Sequence, residues 1–72
     1  MSGDKLAQMA NQIATFFSVQ PGDRALAVAA HINDNWSPPM RAGLLAQIAA
    51  GGAGLDPLVV EAGPEIRPAP AG

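Results

Sequence analysis

The side chains of this chain that are able to do chemistry gather in one stretch, Ala29–Arg41, reading AAHINDNWSPPMR. It holds the only histidine, His31, the only tryptophan, Trp36, and Arg41, one of four basic residues. His31 with Ser37 is the one pairing of a base with a nucleophile here, the chemistry of acyl transfer. Nothing in the sequence supplies an oxyanion pocket beside it. The remaining hydroxyls are Ser2, Thr15 and Ser18, and the chain has neither cysteine nor tyrosine. With one histidine, a metal site would consist mostly of carboxylates, and the six acidic residues nowhere take such spacing. The glycine-rich run Ala49–Gly54 lacks the Gly-Lys-Ser/Thr of a phosphate loop. The expectation is a chain without an active site, cofactor or metal of its own.

Three helices must carry these residues. From Asp4 to Phe17 the apolar period is helical, with Leu6, Met9, Ala10, Ile13, Phe16 and Phe17 on one face. Ser2 or Asp4 is the expected cap. Pro21-Gly22 breaks the chain and Asp23 caps a second helix from Arg24 to Asn33–Asn35. There Ala25, Val28, Ala29, Ile32 and Trp36 share a face and His31 flanks it. The leading reading of His31 is a partly buried structural histidine bonded to a backbone carbonyl; the alternative is a subunit contact. Ser37 caps a third helix, with Pro38 and Pro39 in its first turn, where their missing N–H groups cost nothing. Trp36, just before that cap, reads as a staple onto the first turns or as an anchor in a partner's pocket.

The third helix, Pro38–Ala50, is apolar nearly all round. Met40, Leu44, Leu45 and Ile48 lie on one side with Arg41 among them, and alanines and Gly43 fill most of the rest. Three short helices cannot enclose one of their own members, so its small-residue face or its Arg41 edge is expected to dock on another protein. The alternative is a solvent-facing alanine surface. Gly51 and Gly52 end this helix. Asp56-Pro57 starts a short turn over Leu58–Ala62, and PEIRPAPAG has no period. The expected architecture is all-α: residues 1–63 form a three-helix domain with a short fourth turn, and residues 64–72 form an extended or disordered Pro-rich tail.

Bulk properties agree with a partner-dependent protein. A 72-residue chain buries only about 60% of its unfolded surface, and without cysteine no disulfide reinforces it. Charged residues are 14%, about half the usual share. The net charge of −2 argues against a nucleic-acid surface. No apolar run is long enough to span a membrane, and the start does not resemble a signal peptide. A cytoplasmic location is expected.

Several segments form a pattern together: Met9-Ala10-Asn11-Gln12-Ile13-Ala14 with Phe16-Phe17, Ala27-Val28-Ala29-Ala30-His31-Ile32, Trp36-Ser37-Pro38-Pro39-Met40-Arg41, then Gly52 and Leu55-Asp56-Pro57-Leu58-Val59. In order and spacing, over residues 6–62, they resemble the small delta subunit of bacterial soluble NAD-dependent, molybdenum-containing formate dehydrogenases. The resemblance implies a non-catalytic accessory subunit that supports assembly or stability of a complex. In that complex a large alpha subunit carries molybdenum bis-guanine-dinucleotide and iron–sulfur clusters, a beta subunit carries FMN and the NAD site, and a gamma subunit a further cluster. The whole oxidises formate to carbon dioxide and reduces NAD. A transient chaperone for molybdenum-cofactor insertion is the alternative role. The residues expected to meet the alpha subunit are His31, Trp36, Met40, Arg41, Leu45 and Leu58. Trp36 and the third helix would fill a groove there, Arg41 would pair with a carboxylate, and the tail would lie along the surface.

Overall fold

The computed structural model describes residues 3–68, with side chains from Lys5 onward. The expected cap Ser2, the side chain of the other expected cap Asp4 and the final residues 69–72 of the expected tail lie outside the described residues. The elements are α1 (Gly3–Phe17), α2 (Arg24–Asn35), α3 (Pro38–Ala49) and α4 (Pro57–Ala62), followed by a 3₁₀ turn over Gly63–Glu65. The protein is all-α, and no strand occurs among the described residues.

Each helix start has a local cause. Asp23 accepts a hydrogen bond from the Leu26 N–H at 3.1 Å and Asp56 accepts one from the Leu58 N–H at 2.9 Å. Ser37 Oγ accepts from the Met40 N–H at a longer 3.4 Å. These side chains satisfy donors that have no partner within the helix. At the end of α3, Gly51 and Gly52 take φ of +119° and +71°. Their N–H groups then reach back to the carbonyls of Ile48 and Gln47 at 3.1 and 2.9 Å, a reversal that L-residues rarely make.

The core is centred on Val28, Ile32, Leu44 and Val59, all fully buried, with Ala10, Ala14, Ala29, Ala62, Trp36 and Ile66 around them. α1 packs against each of the other three helices, and α4 packs chiefly on α2. The fourth turn is therefore a structural member, because Val59 and Ala62 close the core over α2. Gly43 lets α1 approach α3 closely: a Cβ there would meet Leu6 Cδ1 at 2.7 Å.

Two features differ from the sequence expectation. The buried line of α1 is Ala10 and Ala14, not the middle of its apolar stripe. Ala14 and Phe16 lie roughly 160° apart on a helix, so once the two alanines face inward, Phe16 is turned out and is 61% exposed. Small side chains win the inner position because they let the helices approach closely. The second difference is at residues 64–66, which the sequence expectation assigns to the tail. Pro64 and Glu65 complete the 3₁₀ turn, and Ile66 is 3% exposed in the core. Ile66 does keep extended backbone, with φ −83° and ψ 126°. It is held there by an apolar anchor and by side chains from α2 and α3, none of which leaves a periodic trace.

Candidate functional site

The site is an open cleft of about 460 Å³ along α1 and α2, lined by Met9, Gln12, Ile13, Phe16, Phe17, His31 and Trp36. The rotation of α1 creates it. Met9, Ile13 and Phe16 form the edge of the stripe left over after Ala10 and Ala14 enter the core. Phe16 meets Phe17 edge to face with ring centroids 5.0 Å apart, and Phe17 meets the His31 imidazole at 6.1 Å. Such pairs fix ring orientation and add modestly to burial energy. His31 is exposed, not partly buried as expected, and the contact that orients its ring is Phe17.

Trp36 is only 6% exposed. It forms a wall of the cleft. Arg41, four positions beyond the Ser37 cap, returns to this segment in place of an apolar staple: its Nη1 donates to the Trp36 carbonyl at 2.9 Å. Its Nε donates to the Arg67 carbonyl at 2.7 Å. The Arg67 N–H in turn donates to Asn33 Oδ1 at 2.8 Å, and Asn33 Nδ2 donates to the Glu65 carbonyl at 3.1 Å. Arg41 and Asn33 thus hold the segment Glu65–Arg67 on both edges of its backbone.

Of the residues singled out from sequence, the cleft brings together His31 and Trp36 alone. Met40, Leu45 and Leu58 are half-buried against the core. Ala42, Ala46, Ala49 and Ala50 of the small-residue surface of α3 are exposed. The residues missed were Met9, Gln12, Ile13, Phe16 and Phe17. Their signal was the apolar stripe itself, whose Met9, Ile13 and Phe16 edge lies away from the Ala10 and Ala14 line that enters the core. Asn11 was missed as well. Its Nδ2 donates to the Gly54 carbonyl at 2.9 Å and its Oδ1 accepts from the Asp56 N–H at 2.7 Å, fastening the loop before α4 to α1. Asn11 also borders a second, more polar hollow of about 500 Å³ with Gln8, Gln47 and Gly54.

The described residues contain no group of three or more His, Cys, Asp or Glu side chains placed to hold a metal. No described helix is long and apolar enough to cross a membrane. What the arrangement offers chemically is an aromatic hollow with an imidazole in its lining and no carboxylate, lysine or arginine, suited to taking up apolar side chains.

The fold is a small all-α domain with an open, mostly apolar cleft along α1 and α2. The chain belongs to the NADH-dependent formate dehydrogenase delta subunit family, FdsD, whose model matches residues 5–62. A comparison with curated proteins finds no match.

Proposed function

We propose that this chain is a resident, non-catalytic accessory subunit of a formate dehydrogenase. It docks on the large molybdenum-containing alpha subunit and stabilises the assembled complex. The observation that carries the reading is the open aromatic cleft with Phe16 61% exposed, in a chain whose family is a subunit of such an enzyme. A ring so exposed beside Phe17 and His31 loses contact with water only when another surface covers it. In this reading the molybdenum bis-guanine-dinucleotide, iron–sulfur clusters and FMN belong to the alpha, beta and gamma subunits. The donor set of this chain does not fit an iron–sulfur cluster, since it contains no cysteine thiolate.

The test is co-expression of all subunits with the affinity tag on the alpha subunit. The expected result is this chain at one copy per alpha subunit in the purified, active enzyme. Complex prepared without it should lose formate-dependent NAD reduction faster on warming. An active complex that retains no copy of the chain overturns the reading and leaves a transient chaperone of cofactor insertion.

A further inference from the structure

Arg41 is a cation that is nine-tenths buried, with 9% of its surface exposed. A guanidinium has five N–H donors in a planar fork. Nε and Nη1 each give one to a carbonyl, of Arg67 and Trp36, which leaves three, two of them on Nη2. Among the described residues no carboxylate pairs with Arg41 and Nη2 has no partner. No buried side-chain nitrogen there lacks a hydrogen bond, so Nη2 reaches the surface. Carbonyl groups satisfy donors but do not neutralise the charge, and a largely desolvated cation gains most from an anion brought to it. Its two carbonyl partners fix the plane of the fork in advance, which lowers the ordering cost of bidentate pairing.

This charge is tied to a residue of the cleft. Arg41 is hydrogen-bonded to the backbone of Trp36, and Trp36 is a wall of the cleft. The lining, which includes Met9, Ile13, Phe16 and Phe17, contains no carboxylate to compete for the guanidinium. We propose that the cleft and Arg41 together receive one amphipathic segment from another subunit of the complex. Its apolar side chains enter the cleft and an aspartate or glutamate beside them pairs with the free edge of Arg41. This rests on the docking reading above and assigns the surface and the partner's chemistry.

The experiment uses the assembled complex, with the chain as wild type, Phe16→Asp and Phe16→Lys. Retention of wild type in the complex is read first; its absence overturns the docking reading and this proposal with it. Both variants remove the same ring from an exposed position and differ in charge. Both should dissociate faster than wild type, Phe16→Asp about tenfold faster than Phe16→Lys at low salt. The gap should close at 1 M salt, where the screening length is about 3 Å. Adding Arg41→Gln, which keeps an amide donor but removes the charge, should raise the dissociation of the Lys variant more than that of the Asp variant. Circular dichroism of each isolated chain checks folding, and if Arg41→Gln does not fold, the Phe16 pair decides alone. Equal dissociation of the Asp and Lys variants at low salt overturns the acidic partner. Retention like wild type in both overturns the surface.

Discussion

Two asparagines do at residue scale what a longer protein does with added helix. Asn11 and Asn33 each use the donor and the acceptor of one amide on the backbone of a distant segment, Gly54–Asp56 and Glu65–Arg67. Each net hydrogen bond contributes about 0.5–1.5 kcal/mol. Asn33→Ala should therefore cost about 1–3 kcal/mol in urea unfolding of the isolated chain. Thr15→Ala should change little, because its hydroxyl bonds only the Asn11 carbonyl one turn back in its own helix. A similar loss for both would mean that the Asn33 contacts do not hold the Glu65–Arg67 segment. Neither asparagine was legible as a clip. Asn33 reads as a helix-ending residue and Asn11 as part of a polar face, since a side chain reaching a segment 32 to 45 positions away leaves no local pattern. Arg41 was legible as an anomaly, a charge among apolar residues, but its two carbonyl partners were not.

At the scale of elements the sequence was informative, because helix ends depend on short-range chemistry. Asp23 and Ser37 were expected as caps and Asp56-Pro57 as a helix start, and all three side chains make the capping bond. Their geometry ranks them. The Ser37 bond at 3.4 Å lies beyond the usual range for an N–H donor, and Pro38 and Pro39 already preset the turn. Asp23 bonds at 3.1 Å and has no proline in the turn after it. Asp23→Ala should cost about 1 kcal/mol and Ser37→Ala clearly less, measured as the shift in urea midpoint at constant slope. Equal shifts would show that proline does not replace the cap. The rotation of α1 about its axis was illegible. The periodicity of Leu6, Met9, Ile13 and Phe17 gives the face but not its centre, and the centre fell on Ala10 and Ala14 because α1 must fit against three neighbours at once.

For the molecule as a whole the decisive question is how little chain suffices to fold. A domain of this length has a stability of about 4–11 kcal/mol, taking roughly 0.05–0.15 kcal/mol per residue. Ile66 is 3% exposed, and burying such a side chain contributes about 1.5–3 kcal/mol. The Asn33 bonds to Glu65 and Arg67 add about 1–3 kcal/mol. Cutting the chain after Gly63 removes both contributions and leaves Arg41 Nε without its carbonyl. The loss, roughly 3–6 kcal/mol, is comparable to the whole stability. The chain ending at Gly63 should thus show weak helicity and a broad melt by circular dichroism. The chain ending at Pro68 should melt as one cooperative transition, because every core contact described lies within it. If the two melt alike, the segment after Gly63 is not part of the folding unit and the boundary belongs at residue 63, where periodicity alone would put it. If they differ as expected, the segment that looked least structured in the sequence closes the core, and its Arg67 carbonyl also orients Arg41.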